Sequence, residues 1–116
     1  MISLYSLGVL NLGLSNQNQG GNEVHQINLI VDYNNGTIKE KQNFTLSNGK
    51  TTAFDALNKW CDVSYVHYVN MGILVTAIDG ISGNWVYSVN GTQPSVSSTK
   101  VYLTDNTTVK WWRISG

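Results

Sequence analysis

The chain has 116 residues, seven Lys+Arg against seven Asp+Glu, and a formal net charge of zero. That length suits one domain, and the charge balance excludes the basic footprint of a nucleic-acid-binding protein. Only 12% of residues are charged while 41% are hydrophobic, and four Trp and six Tyr supply core material that argues against disorder. One Cys excludes an intrachain disulfide and, with two His, argues against a metal centre made of protein ligands alone.

Residues 1–14 form an uncharged, hydrophobic N-terminal segment, too short for a membrane span of about 20 apolar residues. Gly8 and Gly13 weaken a helical reading, so a strand is expected. Ordering such a segment costs about what burying its large side chains returns, which predicts that its backbone also pairs with a sheet edge. Residues 15–23 read as a polar flexible linker, and residues 24–116 as the folded domain.

Val24–Tyr33 alternates as a strand with His25, Ile27, Leu29 and Val31 on one face, and Asn34-Asn35-Gly36 supplies a hairpin turn. Thr37–Leu46 returns as a rather polar strand, predicted at a sheet edge. Thr52-x-x-Asp55 reads as a capping box opening a helix of about ten residues, with Ala53, Phe54, Leu57, Trp60 and Cys61 facing the sheet. Further strands are predicted at Val63–Val69, Ile73–Asp79, Trp85–Asn90, Val101–Leu103 and Thr108–Ile114, with turns at Asp79-Gly80 and Asn90-Gly91. The pattern predicts an α+β fold: a β-grasp-like sheet packed on a single α-helix, preceded by an extended hydrophobic N-terminal strand.

Several of these stretches form an ordered series. Phe44-Thr45-Leu46 leads into a T-x-x-D-A-L helix at Thr52–Leu57, and Ile73–Ile81 gives a strand ending in Asp-Gly. Trp85–Gly91 follows the pattern W-x-Y-x-V-N-G, and Leu103–Trp111 resembles an L-x-D-G-D-x-V-x-W ending in which Asp105-Asn106-Thr107 replaces the acidic turn. Together these resemble the C-terminal domain of transcobalamin and intrinsic factor, a domain found also in archaeal and bacterial surface proteins. The resemblance covers residues 24–114 and implies a β-grasp-like fold related to soluble-ligand-binding domains. In the vitamin carriers this domain closes over cobalamin together with a helical domain that these residues do not supply.

Asn35, Asn43, Asn90 and Asn106 each begin an Asn-x-Ser/Thr triplet, making them glycosylation candidates and placing the protein outside the cell or on its surface. Cys61 reads as a buried, inert thiol. His25 and His67 lie on separate strands and the carboxylates flank turns, so no catalytic constellation, metal site or cofactor is expected, and the protein reads as a non-enzyme. Trp85, Tyr87, Trp111 and Trp112 are the candidate contact aromatics. Because neighbours on a strand face opposite ways, one of Trp111 and Trp112 should enter the core and the other the outer face.

The leading functional expectation is a self-assembling extracellular filament subunit whose partner is another copy of itself, joined head to tail. Its assembly strand would comprise Ile2, Leu4, Tyr5, Leu7, Gly8, Val9, Leu10, Leu12 and Leu14, donated to the next subunit. The alternative is a monomeric surface module binding a corrinoid, glycan or protein, its leader the remnant of a membrane anchor or export signal.

Overall fold

The computed structural model describes residues 22–115. All nine residues of the expected assembly strand, from Ile2 to Leu14, lie outside that range. The described residues fold as β1 (Val24–Asp32), β2 (Ile38–Leu46), α1 (Ala53–Trp60), β3 (Val63–Tyr68), β4 (Gly72–Ile78), β5 (Ile81–Ser82), β6 (Asn84–Val89), a 3-10 turn at Ser98–Lys100, and β7 (Thr107–Ser115). This is an α+β arrangement with one α-helix among the described residues.

The strands form two sheets rather than the single curled one expected: four strands in the order β2-β1-β7-β6, and three in the order β3-β4-β5. β1 and β7 run parallel at the centre of the larger sheet, and all other pairings are antiparallel. β2 lies at an edge, as its polarity suggests. One hydrophobic cluster joins both sheets and the helix, with Ile27, Leu29, Val31, Ala56, Leu57, Ile78 and Val109 fully enclosed.

Two β-bulges set which side chains reach that core. β1 carries an extra residue between Val24 and Ile27, where Gln26 adopts φ 58°, and β2 carries one near Asn43, at φ 53°. An extra residue reverses the alternation on either side of it. Val24 therefore takes the buried position and His25 is exposed, correcting the uniform alternation read from the sequence. On β2 the same device lets Phe44 and Leu46 enter the core while Lys39 and Lys41 lie over the end of the helix.

The capping box forms in full. Thr52 Oγ1 accepts the Asp55 backbone N–H at 3.1 Å, and Asp55 Oδ2 accepts the Thr52 N–H at 3.0 Å. Ala53, Ala56 and Leu57 are buried; Ala56 was not among the expected core positions, while Phe54 and Trp60 are only partly covered. Val101–Leu103, expected as a strand, makes only an isolated bridge between Tyr102 and Thr52. Its backbone instead receives Ala53 N–H at the Val101 carbonyl and gives Leu103 N–H to the Thr51 carbonyl. The segment is thus used up holding the helix entrance and has no strand neighbour to extend it.

Candidate functional site

Two places gather unusual side chains. The first is a polar bridge between the sheets. Asp79 follows β4 with φ 50° and meets Tyr33, which follows β1. Its carboxylate accepts the Tyr33 hydroxyl at 2.5 Å, Lys39 Nζ at 2.8 Å and the Asp62 backbone N–H at 2.8 Å. Burial opposes ionisation of Asp79, but the Asp62 N–H, Lys39 and Tyr33 outweigh it and hold the carboxyl at about 2. Tyr33 is raised, first by burial and then by donating to Asp79. Lys39 also reaches the Trp60 carbonyl at 3.0 Å and Cys61 Sγ at 3.7 Å. Burial, with the Asp79 charge, pushes the Cys61 thiol up to about 11 despite that nearby ammonium. The fold thus brings to Cys61 a lysine that the sequence places 22 positions away, yet the thiol stays protonated. Every charged and hydroxyl group here is satisfied by another, the pattern of a structural tie.

The second place is a cleft of about 570 Å³ where β4 approaches β6 and the loop of residues 93–98 crosses above them. That volume falls in the range of small-molecule sites, about 300–1,000 Å³. Trp85, Tyr87 and Trp111 line it from the larger sheet, while Ile73, Leu74, Val75, Pro94 and Val96 supply aliphatic walls. No Asp, Glu, Lys, Arg or His lines it. Tyr87 and Trp111 pair directly across β6 and β7 and stack at 4.9 Å between centroids, 23° between planes. Burial pushes the Tyr87 hydroxyl up to about 12, and that hydroxyl donates to the Val96 carbonyl at 2.7 Å.

The crossing loop is pinned at a second point. Ser97 Oγ donates to the Ile73 carbonyl and accepts the Ile73 N–H, both at 3.0 Å, replacing a missing strand with one side chain. This close approach requires Gly72, whose φ is +95° and where a Cβ would sit 2.5 Å from Ser97 Cβ. Around the cleft, Met71 is 71% exposed, Leu74 51% and Val96 49%.

Of the four expected contact aromatics, Trp85, Tyr87 and Trp111 converge on the cleft. Trp112 points the other way from Trp111, half-buried on the outer face beneath Lys110, as strand alternation requires. The sequon residues Asn35, Asn43, Asn90 and Asn106 are all exposed, on turns or at the β2 bulge. Sequence reasoning missed the aliphatic walls. One available signal was the uncharged run Gln93–Ser98, which holds the chain's single proline.

A family model described as "Domain of unknown function (DUF4430)" matches residues 50–115, from the loop before α1 to the end of β7. No curated protein matches the chain. Among solved structures, the chain is similar to a protein from Ruminococcus gnavus described as a "putative metal binding protein". The identity is 16%, the TM-score 0.60, and the match covers 80% of this chain and 98% of that one. It is also similar to haptocorrin in complex with Cbi, at 19% identity and a TM-score of 0.56, covering 84% of this chain and 26% of that one. The chain therefore spans about a quarter of haptocorrin, and the likeness shows a shared, distant transcobalamin-like fold.

Proposed function

The chain belongs to the DUF4430 family, and we propose that it is a non-enzymatic ligand-binding module whose site is the cleft between β4, β6 and the 93–98 loop. The observation that carries this reading is the cleft itself: an apolar, uncharged hollow floored by three large aromatic residues. Desolvating such walls costs little, and covering them with a ligand removes apolar area from water at about 25 cal/mol per Å². One structural neighbour is described as a "putative metal binding protein" and the other is haptocorrin in complex with Cbi, so both descriptions support binding.

The ligand is organic on this reading rather than a metal ion. Among the described residues no three His, Cys, Asp or Glu side chains gather into a cluster that could hold one, and the cleft walls offer none of these groups. General acid–base work is equally ill served, since the buried hydroxyl of Tyr87 is already donated to Val96 and hard to ionise. The parallel pairing of β1 with β7, each flanked by an antiparallel neighbour with the helix between, supports a β-grasp-like description of the larger sheet. Exposure of all four sequon asparagines supports placement outside the cell. Strand donation by residues 2–14 yields first place to binding, because the cleft and both neighbours support binding.

The test is a titration of intrinsic Trp fluorescence with cobinamide and with a panel of small neutral aromatic compounds, alongside a Leu74→Arg variant. Position 74 is half exposed, so the arginine folds without core disruption and puts a charge at the cleft wall. Saturable quenching that the variant loses at least tenfold in affinity supports the reading. Absence of a saturable response from every compound overturns it.

A further inference from the structure

The three aromatic residues on the cleft floor each carry one polar hydrogen, and these are not equivalent. Trp85 Nε1 donates to the Ile81 carbonyl at 3.0 Å, and the Tyr87 hydroxyl donates to Val96. Trp111 Nε1 is buried without a hydrogen-bond partner, on a residue only 2% exposed; Thr51 Oγ1 and Trp60 Nε1 are also buried without one, but of these three residues only Trp111 lines the cleft. Buried indole N–H groups usually find an acceptor, so one left over on a residue that lines a cleft asks for an acceptor from outside the chain. The walls add a second constraint. Gln93, Ser95 and Ser98 line the cleft, but no charged side chain does, so an ionised ligand would lose hydration and meet no opposite charge.

We propose that the cleft's ligand is an uncharged, mainly apolar small molecule bearing a carbonyl- or ether-type oxygen that accepts the Trp111 indole N–H. This rests on the cleft being the binding site and names the chemistry that the site selects. The aromatic and aliphatic walls supply affinity for the body of the ligand, while the indole N–H fixes its orientation. Specificity follows from the same asymmetry: a ligand lacking the oxygen leaves the donor buried and unpaired.

Three probes of similar size separate the parts of the proposal: 4-phenylbutan-2-one, which is neutral with an acceptor; butylbenzene, which lacks one; and 3-phenylpropanoate, which is charged. Binding is read by NMR, from the methyl signals of Met71 and Leu74 for occupancy and from the Trp111 indole proton for the hydrogen bond. The ketone is expected to move both sets of signals, and Trp111→Phe to weaken the ketone about five- to tenfold more than it weakens butylbenzene. Should that variant fail to fold, the indole shift in the native protein still decides.

Ketone and butylbenzene moving the methyls alike, with the Trp111 proton still, overturns the acceptor while leaving the binding site in place. Equal binding by 3-phenylpropanoate overturns the requirement for neutrality. No methyl shift from any probe overturns the proposed ligand class, and the cobinamide titration then decides separately whether the cleft binds at all.

Discussion

Tyr33 and Asp79 meet across the gap between the two sheets, the tyrosine hydroxyl 2.5 Å from the carboxylate and 46 positions away in sequence. With Lys39 and the Asp62 N–H on the same carboxylate, this contact fixes where β4 stands relative to β1, and hence the position of one wall of the cleft. Asp79→Asn keeps the shape but removes the charge. It is expected to cost about 1.5–3 kcal/mol, the range for hydrogen bonds to a charged group, measured by urea unfolding at pH 7.

The same carboxylate gives stability a defined pH dependence. Its folded pKa, about 2, lies below the ordinary 3.8, so the unfolded chain binds the proton more readily. The contribution of Asp79 is complete above 3.8 and disappears as pH falls towards 2. Unfolding free energies of the native protein and Asp79→Asn should differ at pH 6 and converge between pH 4 and 2.

Cys61 is expected to be unreactive in the folded protein. Burial and the Asp79 charge raise its thiol from 9.0 to about 11, leaving about a hundredfold less thiolate at pH 8. Iodoacetamide labelling at that pH should be at least about a hundredfold slower in the folded chain than in urea.

Gly72→Ala tests how the cleft is built. The substitution forces a side chain into φ +95° and against Ser97, whose hydroxyl anchors the crossing loop to Ile73. A loss of about 1–3 kcal/mol is expected by thermal or urea unfolding, together with altered signals from Val96 and Leu74.

Several asparagines also have a backbone reason for being Asn. Six of the eleven asparagines among the described residues (Asn34, Asn43, Asn48, Asn70, Asn90 and Asn106) adopt positive φ, where Asn is tolerated far better than most residues. Three of the four sequons therefore begin at a position with a structural reason to be Asn. Asn90 additionally accepts the Thr108 N–H at 2.9 Å. Asn90→Gln is expected to lower stability by about 1–2 kcal/mol in protein made without glycosylation, read by its melting curve.

Local rules were legible in the sequence because local contacts enforce them. The capping box at Thr52 and Asp55, the Asn34–Gly36 turn and the opposed faces of Trp111 and Trp112 involve residues only a few positions apart. The bulges at Gln26 and Asn43 were hidden, since neither residue type announces an extra place in a strand. The division into two sheets, and with it the cleft, depends on pairings such as Tyr33 with Asp79 and Ser97 with Ile73. Those pairings are chosen by tertiary packing, and no periodicity encodes them. The aromatic residues of the cleft could be picked out by type, but the aliphatic walls that make it a hollow could not.

Ligand binding in the cleft is open to a direct measurement, the mapping of neutral small-molecule fragments onto the protein through methyl chemical shifts. Binders are expected to cluster on Met71, Leu74, Val86 and Val96, residues around the cleft. Fragments that gather instead on the outer face at Trp112 or beside Trp60, or that bind nowhere, would contradict it.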